Sequence, residues 1–89
     1  MSRLLASAQI RAARALLRWT TEQLAERSGV GVATVRRAER SVGPTSLNRP
    51  NDAALRQTLE AAGVDFIDEN GGGVGVRLRE PSESTGQLF

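Results

Sequence analysis

The sequence predicts a mostly α domain, a small helix-turn-helix bundle that ends in a C-terminal β-hairpin. Three observations predict it. Apolar residues recur at helical spacing between Ser7 and Gly63. Two short helical patterns within that range are separated only by Val30 and Gly31, the spacing of a tight turn. Beyond Gly63 the period switches to alternation around a glycine-rich turn.

Each element has its own signals. Ser7 is placed to cap the first helix, whose apolar stripe is Ile10, Ala13, Leu16 and Leu17, with Arg11, Arg14 and Arg18 outside it. A second start signal follows at once, because Thr20 and Gln23 stand three apart as a capping box with Glu22 in the first turn. Leu24 and Ala25 face inward there, and Gly29 supplies the left-handed residue that stops the helix. The third helix starts at Val32 and reads VATVRRAER. The Ser, Pro, Gly and Asn of SVGPTSLNRPN describe a loop. A fourth helix follows in DAALRQTLEAAG, capped by Asn51 and stopped by Gly63, with Ala54, Leu55, Leu59 and Ala62 as its buried side. Val64, Phe66, Val74, Val76 and Leu78 then alternate with polar or small residues about a turn at 70–73. The closing EPSESTGQLF reads as a frayed tail. The expected organisation is a helix-turn-helix unit over 7–63, a hairpin serving dimerisation over 64–79, and a flexible tail over 80–89.

Composition narrows the function classes. The 89-residue chain is 39% hydrophobic, but twelve of those residues are alanine, so large core side chains are few and an oligomer is favoured. There is no cysteine and no histidine, which removes disulfides, thiolate metal sites and imidazole chemistry. Tyrosine is absent as well, so general acid–base and nucleophilic catalysis lack their usual residues and an enzyme is not expected. No metal or cofactor is expected either. GGGVG is not a phosphate-binding loop, for it lacks the Lys-Ser/Thr pair and a following helix; it reads as the hairpin turn. No apolar run approaches the roughly 20 residues that cross a bilayer, and the apolar part of MSRLLASAQI is too short for a signal peptide. The expectation is a soluble, cytoplasmic protein without a membrane partner.

Charge is informative by location. All twelve basic residues are arginine. Ten of them lie in residues 1–56 against four acids, whereas residues 57–89 hold two arginines against six acids. The pI of about 11.0 reflects the absence of Lys, Tyr, Cys and His rather than a large positive charge, since the formal net is only +2. A polyanionic partner is therefore expected for the first part alone.

The third helix gives those arginines an address. On a helix from Val32, residues 32, 33, 36, 37 and 40 share the outer face, while Val35 and Ala38 point inward. The second helix of a helix-turn-helix lies in the major groove with its N-terminal part toward the bases. Small side chains there permit close approach. Val32 and Ala33 suit thymine methyls, Arg36 suits guanine O6 and N7, and Arg40 suits a phosphate. The plain alternative is a solvated helix face.

Residues 10 to 40 resemble the XRE family, the Cro/CI type of phage-repressor and bacterial regulator. TTEQLAERSGVGVATVRRAE carries Gln23, Leu24, Ala25, Gly29, Val30, Thr34, Val35 and Glu39 in the family's register, and IRAAR upstream is similar to its first helix. LEAAGVDFIDENGGGVGVRLR also resembles the ending of very small bacterial members. The resemblance implies a lambda-repressor-like fold and a transcriptional regulator of double-stranded DNA. It implies a phosphate contact for Gln23 and DNA-facing positions for Gly31, Val32, Ala33, Thr34, Arg36, Arg37 and Arg40. It also implies a salt bridge between Arg14 and Glu39. Two residues depart from the pattern. Gly31 replaces the usual Ser or Thr cap at a cost of about a few tenths of a kcal/mol, and Arg18 replaces a common glycine, implying a turn of altered shape. The functional expectation is a repressor acting as a homodimer on a palindromic operator. The alternative is a protein-interaction module, an antitoxin or anti-activator, that takes a protein partner through the hairpin.

Overall fold

The computed structural model describes residues 4–80, in which four helices precede a two-stranded antiparallel hairpin. The helices are α1 (Ser7–Leu17), α2 (Thr21–Ser28), α3 (Val32–Arg40) and α4 (Arg49–Ala61), and the strands are β1 (Val64–Ile67) and β2 (Gly75–Leu78). The mostly α class with a terminal hairpin is as expected. Of the tail expected over 80–89, only Glu80 lies within the described residues.

Helix starts are where the structure corrects the sequence. Ala6, not Ser7, occupies the N-cap of α1, and its N–H donates to Gln9 Oε1 at 2.9 Å. Ser7 is wholly buried one residue further in, where its N–H donates to Gly43 O at 2.9 Å and its hydroxyl donates to Ala38 O of α3. Its hydroxyl thus serves a neighbouring helix rather than its own. α4 begins three residues early, with Asn48 as N-cap accepting from Asn51 N–H at 2.8 Å and Pro50 in the first turn. Proline fits a first turn because its missing N–H would have had no intrahelical partner. The Thr20–Gln23 capping box of α2 forms as expected, at 2.8 and 3.0 Å.

The core runs through all the elements. Ile10, Ala13, Leu24, Val35, Ala38, Leu55, Leu59 and Val64 are buried together with Leu5 and Leu47. The last two come from segments without helical periodicity. The chain just before α1 bridges Ala6 to Pro44, flanked by Thr45 N–H to Leu5 O (3.0 Å), and Leu5 N–H donates to the buried Asp52 Oδ1 at 2.9 Å. That carboxylate sits in the first turn of α4, where the helix dipole favours an anion. Three expected apolar positions lie outside the core: Leu16 is 40% exposed, Ala62 is exposed, and Val74 is 38% exposed just before β2.

The hairpin pairs Val64 with Leu78, Asp65 with Arg77, Phe66 with Val76 and Ile67 with Gly75. β2 packs on α1 and β1 on α4, so the alternate residues Val64, Phe66, Val76 and Leu78 join the common core. The chain itself covers much of this apolar face, burying Val64 and half-burying Phe66, Val76 and Leu78. Gln9 Nε2 clamps the turn end by donating to Gly75 O (3.0 Å) and Ile67 O (3.3 Å). On the outer side, Arg79 and Arg77 reach Asp65 at 3.0 and 3.8 Å.

Arg18 closes α1 in the left-handed region, φ 58° and ψ 36°. The turn keeps the shape that a glycine would give, and arginine bears the strain, about 1–2 kcal/mol for a residue with a Cβ. Arg18→Gly should stabilise the fold by about 0.5–1 kcal/mol after the entropy of glycine is subtracted. Thermal melts should show a midpoint higher by about 3–6 °C; a lower midpoint would contradict the strain.

Candidate nucleic-acid interface

α2 and α3 are joined by the turn 29–31, which depends on one backbone conformation. Gly29 has φ 78°, a region that favours glycine, and its N–H donates to Ala25 O at 2.9 Å. Val30 then inserts into the core, and Gly31 caps α3 without a side-chain hydrogen bond. The helix that follows presents two chemically distinct sides.

Its inner side holds Val35, Ala38 and Glu39. Glu39 is only 9% exposed, and a carboxylate so placed requires a cation. Arg14 of α1 supplies it in a bidentate pair, Nε to Oε2 at 2.9 Å and Nη2 to Oε1 at 3.0 Å. Its remaining Nη1 donates to Trp19 O at 3.0 Å, which ties the α1–α2 turn to the same guanidinium. The hydrogen bond to Glu39 raises the Arg14 pKa above its ordinary value, against a smaller opposing effect of burial. Two further α1 side chains meet the end of α3: Ser7 donates to Ala38 O and Arg11 Nη1 to Glu39 O. These carbonyls belong to the last turn, which has no intrahelical donors, and a guanidinium there also complements the helix dipole.

The outer side holds Ala33, Arg36, Arg37 and Arg40, all exposed, at offsets of three, four and seven residues from the first. Gly31 is exposed beside them. Val32 and Thr34 are half-buried, and Val32 packs on the core rather than lying open on the outer face. Arg36 Nη2 contacts Glu22 Oε2 of α2, with both side chains exposed, at 50% and 63%. Arg37 and Arg40 have no acidic partner among the described residues. Gln23 is exposed at the start of α2; its Oε1 is used by the capping box, leaving its Nε2 to donate outward. The surface so formed offers guanidinium and amide donors around a helix tip of small residues. Guanidinium and amide N–H groups of this kind form charge-assisted or two-pronged hydrogen bonds with anionic or planar acceptors. Among the described residues, no group of three or more acids is placed to hold a metal ion, and no helix is long and apolar enough to cross a membrane.

Most other arginines are occupied. Arg27 lies over the Trp19 ring at 4.6 Å and Arg56 over Phe66 at 5.2 Å. Sequence reasoning missed Glu22 as a partner of Arg36, and Ser7, Arg11 and Gln9 as buttresses. The first three of α1's contacts to α3 were signalled by spacing: Ser7, Arg11 and Arg14 stand at i, i+4 and i+7 on one face. No protein-family model matches the chain, and no curated protein matches it.

The Arg14–Glu39 pair should be energetically coupled. Arg14 is 26% exposed, so the coupling should lie between exposed and deeply buried pairs, about 1–3 kcal/mol. Thermal melts of Arg14→Ala, Glu39→Ala and the double variant measure it; strictly additive losses would rule the coupling out.

Proposed function

We propose that the protein is a sequence-specific DNA-binding transcriptional regulator with a lambda-repressor-like helix-turn-helix, as its resemblance to the XRE family implies. The observation that carries this reading is the outer face of α3. Four exposed residues align there, three of them arginine, and two of those have no acidic partner among the described residues. On this reading α3 enters the major groove with Gly31 and Ala33 at the tip. Arg36 reads a guanine edge, while Arg37 and Arg40 hold the backbone. Gln23 Nε2, at the N-terminus of α2, donates to a phosphate, where the helix dipole also favours an anion.

The active species is a homodimer on a palindromic operator, its recognition helices about 34–36 Å apart. The hairpin supports this assignment through its strand edges rather than its apolar face. A two-stranded sheet has an unpaired edge on each side, and Ile67 and Val74 are 40% and 38% exposed beside it. Pairing of hairpins across a two-fold axis uses one isologous contact. Occupancy of the operator in the bacterial cytoplasm blocks polymerase, so the regulator acts as a repressor.

Selection from a random duplex pool with the full-length protein tests the reading. Arg36→Ala should cost about 1–3 kcal/mol and relax preference at one position in each half-site. Arg40→Ala should weaken all duplexes alike and flatten the salt slope by about one unit. Binding that is insensitive to salt, or the absence of any preferred sequence, would overturn it in favour of a protein-interaction module. Sedimentation of the full chain at micromolar concentration should show a dimer, and a monomer there would sink the dimeric assignment. Truncation at Gly63 is no substitute, because it removes the buried Val64 from the core.

A further inference from the structure

Among the described residues, Glu22 is the acid in ion-pair contact with the outer face of α3. Stability does not account for that contact, because an exposed pair contributes about 0–1 kcal/mol. Glu22 also lies in the first turn of α2, where the dipole favours it, but that benefit does not require Arg36. An acid on a face meant for a polyanion lowers general attraction. It is useful only if it changes which contacts Arg36 makes.

We infer that Glu22 is a positioning and specificity-determining residue for Arg36, an inference that rests on the DNA-binding reading. A guanidinium carries five N–H donors in one plane. Glu22 engages Nη2, leaving the Nη1 hydrogens and the other Nη2 hydrogen for a two-pronged contact with guanine O6 and N7. The aliphatic stem is then held across the α2–α3 junction, so less rotamer freedom is lost when the base is met. A phosphate is a different case. Every duplex offers phosphates; on this proposal they lie off the line that Glu22 gives the guanidinium, so Arg36 meets one by leaving Glu22, whose carboxylate then faces an anion unpaired. Arg36 therefore adds little to binding of arbitrary DNA and much to binding of a site with guanine in register. Glu22 widens the gap between the two by penalising the wrong contact.

The experiment uses the full-length protein, the duplex it selects from a random pool, and a scrambled duplex of equal length. Affinities across a salt series are measured for wild type, Glu22→Gln, Arg36→Ala and the double variant. Glu22→Gln should bind the scrambled duplex about 3–10-fold more tightly, with a salt slope steeper by about one unit. Its affinity for the selected duplex should change by less than about twofold, so the specificity ratio falls. In the Arg36→Ala background most of the gain on scrambled DNA should disappear. Thermal melts that keep a cooperative transition within a few degrees of wild type show that the fold is kept. An unchanged ratio, or an equal gain with and without Arg36, would overturn the role of Glu22, the latter by showing simple removal of a negative charge. A wild-type protein that selects no duplex would instead defeat the DNA-binding reading itself, and this inference with it.

Discussion

The Arg14–Glu39 ion pair is the constraint on which the orientation of α3 depends. The roll of this nine-residue helix is held by the fully buried Val35 and Ala38, by Ser7 and Arg11 on its last carbonyls, and by Glu39. Apolar packing is non-directional, so the polar contacts set the angle most narrowly. A buried carboxylate must meet its cation with both oxygens or lose several kcal/mol. Arg14 answers with two parallel hydrogen bonds and commits its third nitrogen to Trp19 O. One guanidinium thereby joins α1, α3 and the turn that begins α2.

The chain's arginines divide according to what surrounds them. Arg11 and Arg14 face α3 and are spent on its carbonyls and carboxylate; Arg27 lies on Trp19; Arg77 and Arg79 serve Asp65. What remains on α3 is a charged face whose guanidiniums are held only at Arg36. The overall charge of the first part of the chain would suggest a diffuse attraction for polyanions. Arg18 and Arg49 are exposed as well, so the α3 face is set apart by alignment and not by being the sole charge left over: Arg36, Arg37 and Arg40 share one side of one helix.

The hairpin and the segment 5–7 complete the core from opposite ends of the chain. Neither would be ordered alone, since two short strands bury too little. β2 lies on α1, β1 on α4, and Gln9 reaches from α1 to carbonyls at the turn end of both strands. The helical body and the hairpin therefore share a single hydrophobic core. The hairpin's edges are left over as surface, beside an apolar face that the chain's own helices already cover in large part.

Much of this was legible in local sequence. The Thr20–Gln23 box, Gly29, the inward Val35 and Ala38, the alternation of Val64 and Phe66 and the outward arginines are all short-range signals, set by helical period, capping chemistry and strand pleat. Even the Arg14–Glu39 pair was available through resemblance. Helix starts were less secure. Ser7 has the chemistry of a cap and Asn51 follows a proline, yet caps compete with tertiary partners: Ser7 turned to Ala38 O, and Asn48 had Pro50 to begin its helix. Leu5 and Leu47 joined the core without any periodicity, because their burial depends on segments distant in sequence. The sequence by itself determined that four helices precede a hairpin, roughly where the chain turns and which helix carries an arginine face. Only the tertiary structure decided which of those arginines are occupied, that Glu22 holds Arg36, and that the hairpin closes on its own chain. Those outcomes depend on the meeting of side chains from separate elements, and no local pattern encodes the distance between them.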